Sequence, residues 1–198
     1  HHPDIRQFTT VWMDSLRGGE SMLVNTNKLI RFYDGATGLK TGSTGSAGYC
    51  LSATAEKNGM ELIAVVLKGK TSDERFSDAK SLLNYGFSTW SLVTVTPDEV
   101  LPPVPVMLGV RGTVQPVLTS ENTLLVEKTL ANSLTKEIAL AESVAAPVYA
   151  GDTLGQLTVR DAAGNTVAEL PILAGEDVGH VTFVQMLGRC LVRGFCMG

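Results

Sequence analysis

The sequence predicts an α+β fold, with an antiparallel sheet and its packing helix, then a small all-β domain and an amphipathic tail. An Asn-Gly pair at 58–59 separates two apolar runs, which is the pattern of a tight β-hairpin. Apolar residues then recur at helical spacing over 76–87. A cluster of prolines at 97–105 follows, and beyond it the chain consists of short strands and turns.

The first domain is predicted over 1–95. Strands are expected at 38–43, Tyr49–Glu56 and Met60–Lys68, and because consecutive strands joined by short turns pair with each other, they form an antiparallel meander. A helix follows, with Thr71 as its N-cap and Glu74 as the other half of a capping box.

The second domain, 96–176, is interpreted as a β-sandwich because it contains only short strands separated by turn residues. It carries no His, no Cys and no convergent group of acids, so no catalysis is assigned to it. Its predicted strands are Val104–Val110, Gln115–Leu118, Leu124–Glu127, Ile138–Leu140, Thr153–Arg160 and Thr166–Leu173.

The tail, 177–198, has an apolar stripe and a narrow basic face at helical spacing from about 178 onward. It is too short and too polar to be predicted to span a bilayer. Two interpretations remain open on the sequence alone. One is a helix anchored at a membrane interface. The other is an ordinary amphipathic helix packed on a domain or a second chain.

Composition excludes several functions. The 16 Lys and Arg of the 198-residue chain do not cluster and its net charge is -4, which argues against nucleic acid as a partner. No metal-ligand spacing or phosphate loop is seen, so no cofactor is expected. Cys50, Cys190 and Cys196 are interpreted as free thiols, with lipidation or pairing between chains as the alternative for the last two.

The beginning of the chain is interpreted as the middle of a protein. It has neither an initiating Met nor a signal peptide, and the apolar segment from Ile5 has no preceding element to pack on. We therefore expect a fragment or a processed product, in which His1 and His2 are either native or left from a tag.

The run Lys40-Thr41-Gly42-Ser43 carries the chemistry. A lysine ammonium at a strand end can hold a hydroxyl network or a substrate carboxylate, and the hydroxyl of Thr41 can bind a terminal carboxylate. Gly42 lets a peptide-like substrate lie close to the strand. The backbone N–H of Ser43 is placed to act as an oxyanion donor.

This run and its surroundings resemble the D-Ala-D-Ala carboxypeptidases among the low-molecular-mass penicillin-binding proteins. The resemblance covers essentially the whole chain, because the β domain and the tail resemble the stalk and membrane anchor of that family. The stretches that carry it are 25–29, 38–44, 47–51, 60–67 and the helix end at 82–87.

The resemblance implies an order of motifs, Ser-x-x-Lys, then Ser-x-Asn, then Lys-Thr-Gly. Here Ser77–Lys80 and Ser133–Lys136 match the first motif and Ser120–Asn122 the second, but all three follow Lys40. We interpret them as chance matches and expect the acylating serine in a missing N-terminal portion. The chain alone is therefore predicted to be inactive.

The resemblance also implies the partners, which are peptidoglycan stem peptides and β-lactams. Arg75 either helps to bind the substrate carboxylate, as a basic residue does near this place in some relatives, or is a solvated residue at a helix start. The implied location is extracytoplasmic, at the bacterial cell membrane or secreted. Because a partial catalytic domain leaves apolar faces uncovered, self-association is expected.

Two other functions stay open. The chain would be a non-enzymatic module if its β domain and tail only position other proteins at the cell wall. A β-lactamase of the same superfamily is the weaker alternative, because the large β domain after the helix argues against it.

Overall fold

A computed structural model describes residues 2–188, apart from the side chain of Pro3. The described chain divides into two compact units. The first runs to Leu92 and includes Leu125–Thr129, and the second comprises Val93–Leu124 and the described residues from Leu130 onward. The domain boundaries drawn from the sequence stay predictions. They placed all of 96–176 in the second domain, whereas Leu125–Thr129 belongs to the first compact unit.

The helices are short apart from one: α1 Arg6–Thr9, α2 Leu29–Phe32, α3 Ser72–Thr89 and α4 Lys128–Ala131. The strands are β1 Met13–Leu16, β2 Ser21–Val24, β3 Ala36–Thr44, β4 Gly48–Lys57, β5 Met60–Gly69, β6 Trp90–Thr94, β7 Val104–Met107, β8 Thr113–Val114, β9 Pro116–Leu118, β10 Thr123–Glu127, β11 Thr135–Leu140, β12 Val144–Ala145, β13 Thr153–Arg160 and β14 Thr166–Ala174.

The predicted meander is confirmed as the antiparallel sheet β3-β4-β5. Lys57 pairs with Met60, which leaves Asn58 and Gly59 as a two-residue loop with φ of 51° and 76°. Positive φ at both loop positions matches the right-handed twist of the strands, and Asn-Gly adopts it at low cost. The hairpin therefore follows directly from local sequence.

Helix α3 covers one face of this sheet, and between them lies the core of the first unit. Phe76, Ala79 and Leu83 of the helix are buried against small and β-branched residues of β4 and β5. Thr71 caps α3 by accepting a hydrogen bond from the N–H of Glu74, as predicted. The reciprocal half of the capping box differs, because the Glu74 carboxylate accepts from the N–H of Lys70.

The second unit contains a four-stranded antiparallel sheet, β11-β13-β14-β9, and a three-stranded sheet, β12-β7-β8. Its buried residues are almost all Val, Leu and Ile. The predicted α+β class with a β-sandwich domain is confirmed. The strand predicted at Leu124–Glu127 is not part of these two sheets, because β10 pairs with β6. The alternation of apolar and polar residues predicts a strand but does not specify which strand it pairs with.

The predicted start of the tail helix at 178 is wrong. Val178 and Val181 are buried in the second unit, and Val178 forms a bridge with Val148. Helical residues begin at 183 and continue to 188, and the rest of the predicted tail helix, 189–198, lies outside the described residues. No helix in the described part of the chain is long and apolar enough to cross a membrane.

Candidate active site

Strand β3 carries the Lys-Thr-Gly run at one edge of its sheet. Lys40 pairs with Ser52, Thr41 with Leu51 and Gly42 with Cys50, so β4 satisfies one edge of the strand. No other described strand pairs with β3 on its second side. An unpaired strand edge can accept an extended peptide as an added strand through its N–H and C=O groups.

The side chains of this run alternate between the two faces of the sheet. Thr41 is buried, in register with the core residue Leu51, while Lys40, Gly42 and Ser43 are exposed. The Lys40 ammonium donates to the carbonyl of Thr41 at 2.5 Å, and its other two donors remain for a ligand. The predicted residues are thus brought together on one short strand segment.

Nothing in the described structure requires a glycine at position 42. A Cβ built on it meets no atom within 4 Å, and its φ is not positive. Gly48 on the neighbouring strand is different, since its φ is 62° and an added Cβ would lie 2.8 Å from the carbonyl oxygen of Gly69. The open space beside Gly42 is where the sequence predicts the close approach of a substrate.

Thr41 has a hydrogen-bond partner that sequence reasoning missed. Its hydroxyl lies 2.6 Å from the hydroxyl of Thr26, and either group can be the donor. A hydroxyl has one proton to donate and two lone pairs. Thr26 therefore sets which way the Thr41 hydroxyl can donate, and this bears directly on how Thr41 can bind a carboxylate.

Asn27 is the second residue that the sequence analysis did not assign to the site. It is almost fully buried, and its side-chain amide donates to the carbonyl of Gly38 at 2.9 Å. Its side-chain oxygen accepts from the N–H of Leu29, which begins α2. Asn27 is thereby a positioning residue that joins the loop to β3 just before Lys40. An Asn two residues before a helical turn, where its side-chain oxygen can accept from a helix N–H, is the signal that could have identified it.

Arg75 lies behind the strand. It is 7% exposed, so the prediction of a solvated residue is wrong. Its guanidinium donates to the carbonyls of Gly42 and Cys50 at 3.2 and 3.3 Å. Its centre also lies 5.4 Å from the ring of Tyr49. The Nε–H is buried and has no hydrogen-bond partner among the described residues.

The Ser-x-x-Lys and Ser-x-Asn matches have other structural roles. Ser77 is an exposed residue of α3, the hydroxyl of Ser133 donates to the carbonyl of Leu130, and the side chain of Asn122 donates to that of Val95. Over residues 2–188, no group of three or more His, Cys, Asp or Glu could hold a metal ion.

Comparison with known proteins gives a consistent result along the chain. Residues 1–71 match the family model of D-alanyl-D-alanine carboxypeptidase, and residues 93–180 match that of the penicillin-binding protein 5 C-terminal domain. The carboxypeptidase DacF of Bacillus subtilis is 33% identical over 195 residues. The chain is therefore similar to D-alanyl-D-alanine carboxypeptidases in both matched regions. The resemblance read from the sequence is thus confirmed.

Relatives of this family are longer than the chain. The match covers 96% of the chain and 50% of DacF, so the chain spans about half the length of that relative. The crystal structure of penicillin binding protein 5 from Haemophilus influenzae shares the fold, with a TM-score of 0.72 at 23% identity over 90% of this chain and 52% of that one. The carboxypeptidase DacD of Francisella tularensis gives a TM-score of 0.52 at 28% identity, over 81% of this chain and 40% of that one.

Proposed function

We propose that the chain forms the Lys-Thr-Gly side of a serine D-Ala-D-Ala carboxypeptidase, a hydrolase that removes the terminal D-Ala from peptidoglycan stem peptides. The observation that carries this proposal is the free edge of β3, with Lys40, Gly42 and Ser43 exposed and Arg75 bound behind them. The match of residues 1–71 to the carboxypeptidase family model supports it. The second matching family is a penicillin-binding protein domain, which supports β-lactams as further ligands.

Each residue has a role in this reaction. The stem peptide lies along β3 as an added strand, and the N–H of Ser43 donates to the oxyanion that forms at the penultimate D-Ala carbonyl. Thr41 and Arg75 bind the terminal carboxylate. Lys40 carries a positive charge beside the reacting carbonyl and orients hydroxyl groups there.

The nucleophile has to come from outside this sequence. A serine hydroxyl attacks the penultimate carbonyl, its proton passes to the leaving D-Ala amine, and water then hydrolyses the ester and restores the serine. The Ser-x-x-Lys match at Ser77 lies on the exposed surface of α3, and the match at Ser133 belongs to the second unit. We infer that a second polypeptide segment supplies this serine and that the chain alone is inactive.

The outer face of the sheet supports this inference. Ile63, Val65 and Leu67 of β5 are 70%, 57% and 73% exposed, whereas their neighbours Ala64 and Val66 are buried. Three large apolar side chains exposed in a row on one strand favour association with another surface. Register places Val65 in line with Ser52 and Lys40, so a segment covering this face would lie beside the candidate site. Without it, we propose that this face drives self-association.

Labelling with a fluorescent penicillin tests the function. The chain alone is expected to give no covalent label, because it has no serine in place. Fused to the part of DacF that it does not match, it is expected to label. Lys40→Ala in the fusion should abolish labelling and Lys70→Ala, an exposed lysine outside the site, should not. Labelling of the chain alone, or a fully active Lys40→Ala fusion, would contradict the proposal.

We also propose that the tail attaches the chain to a membrane surface on the outer side of the cell membrane. Phe183, Val184 and Leu187 are exposed, which supports this role and is the specific observation that favours a non-enzymatic anchoring function as the second candidate. Deletion from 183 onward should abolish sedimentation with anionic vesicles. The deletion spares Val178 and Val181, which are core residues of the second unit. Unchanged sedimentation would overturn the anchor.

A further inference from the structure

A separate cavity lies within the first unit, between the β4–β5 turn, the end of α3, the start of β6 and the residue that follows β10. Its volume is about 380 Å³. Small-molecule sites occupy roughly 300–1,000 Å³, so it can hold a compact ligand. It shares no residue with the candidate active site, and is lined by Lys57, Asn58, Met60, Phe87, Trp90, Ser91, Leu92 and Lys128.

The lining is positively charged although the chain as a whole is acidic. It includes two lysines and no carboxylate, against a net charge of -4 for the chain. The Lys128 ammonium donates to the carbonyl of Phe87 at 2.7 Å and keeps two further donors. This ammonium and that of Lys57 are both held near Phe87, because Lys57 Nζ lies 5.5 Å from the centre of the Phe87 ring.

The partners of Lys57 leave its ammonium available. Its Nζ lies 4.7 Å from the ring centre of Tyr33 and 3.7 Å from the carboxylate of Asp34. The side chain of Asp34 is 97% exposed, and an ion pair with such a group is worth little because water competes for it. The contacts with the two aromatic rings hold the ammonium in place by cation–π attraction, which is not a hydrogen bond to an acceptor.

The remaining walls are apolar, apart from two polar groups. Phe87 and Trp90 provide aromatic surface, and Met60 is a buried residue of the lining. The hydroxyl oxygen of Ser91 is buried and has no hydrogen-bond partner within the described residues. Such a group costs free energy unless a ligand or water satisfies it. The exposed side chain of Asn58 adds an amide at the rim.

We propose that this cavity binds a small sugar acid, meaning a sugar that carries a carboxylate or a phosphate. The oxyanion lies between Lys57 and Lys128, and the sugar ring lies against Phe87 and Trp90. A sugar hydroxyl then forms a hydrogen bond with Ser91, while the oxyanion stays between the two lysines. The site is independent of Lys40, so it goes beyond the proposed carboxypeptidase activity.

The test is a titration of the full, ¹⁵N-labelled chain followed by NMR. The probes are N-acetylmuramic acid, N-acetylglucosamine 6-phosphate and the neutral N-acetylglucosamine. At least one acid should shift the indole N–H of Trp90 and the amides of Asn58 saturably, while the indole of Trp12, outside the cavity, stays unchanged. The neutral sugar should bind about tenfold more weakly, because it makes no charge-assisted hydrogen bonds. The acid that binds more tightly identifies the anion as carboxylate or phosphate.

Matched variants test the charge. Lys128→Gln should weaken binding of the acid about tenfold, whereas Lys128→Arg should retain it. Lys70→Gln makes the same charge change outside the cavity and should have no effect. Lys128 is exposed, so its variants are expected to fold, which the unchanged spectrum of the core confirms.

Three results would overturn the proposal. They are the absence of any saturable shift, equal binding of the neutral sugar and the acids, and equal shifts from inorganic phosphate alone.

Discussion

Strands β3 and β13 are both long strands of antiparallel sheets, but their surroundings differ. β13 lies between β11 and β14, so both its edges are paired, and Leu154, Leu157 and Val159 point into a core. β3 is paired only with β4 among the described strands, and it is held from behind by the side chains of Asn27 and Arg75. β13 provides stability, whereas β3 has a free edge supported by polar contacts, which is what a peptide-binding strand needs.

The largest expected effect concerns the core beneath β13. Leu157 is 0% exposed, so Leu157→Ala should lower the free energy of unfolding of the second unit by about 2–5 kcal/mol. Leu67→Ala is the control, because that side chain is 73% exposed and its loss should cost less than about 0.5 kcal/mol. Urea unfolding followed by circular dichroism measures both. If both variants lost the same free energy of unfolding, Leu157 of β13 would not be packed in a core.

The next effect concerns the polar support of β3. Asn27→Ala leaves the carbonyl of Gly38 and the N–H of Leu29 without their partner, and should cost about 1–3 kcal/mol. Asn132→Ala, at an exposed asparagine, should be close to neutral. Urea unfolding measures the cost, and an Asn27 variant as stable as the Asn132 variant would show that the loop does not hold the strand.

Gly48 and Gly42 are glycines for different reasons, the first for the fold and the second for the proposed activity. Gly48→Ala should destabilise by at least about 1 kcal/mol, because its φ is 62° and a Cβ would lie 2.8 Å from a carbonyl oxygen. Gly42→Ala should leave thermal stability unchanged, since its Cβ meets open space. In the labelled fusion, however, Gly42→Ala should slow acylation about tenfold. An unstable Gly42 variant would show that this glycine is structural.

The smallest effect lies in the turn after β13. Hydrogen bonds from the side chain and N–H of Asn165 and from the N–H of Ala163 lower the pKa of Asp161. A carboxyl with a lowered pKa stabilises the folded state above its ordinary pKa, and this contribution is lost as pH falls through the lowered value. The protection of the Asn165 amide against hydrogen exchange, taken relative to its intrinsic rate at each pH, should therefore fall on acidification. Asp161→Asn should remove that dependence, and an unchanged profile would show that Asp161 does not hold the turn.

Much of the fold near the candidate site was predictable because its signals are local. The Asn58-Gly59 turn, the Thr71 cap and the helical stripe of α3 each depend on residues close in sequence. The Lys-Thr-Gly run was placed correctly on the first strand of a meander for the same reason. The pairing of β10 with β6 was missed, since strand alternation does not specify a partner.

The roles of the polar residues around the run were less predictable. Thr26 and Thr41 are 15 residues apart, and Arg75 lies 33 residues from Gly42. Such contacts form only when α3 and the loop before α2 pack against the sheet. The burial of Arg75 and Asn27 depends on that packing.

The sequence by itself determined the class of fold, the family resemblance and the strand that carries Lys40, Thr41 and Gly42, because periodicity, turn residues and motifs are properties of short segments. Only the tertiary structure decided that β3 has a free edge, that Arg75 holds it from behind, and that Lys57 and Lys128 meet at one cavity. Those features join residues distant in sequence, and their geometry exists only once the elements have packed.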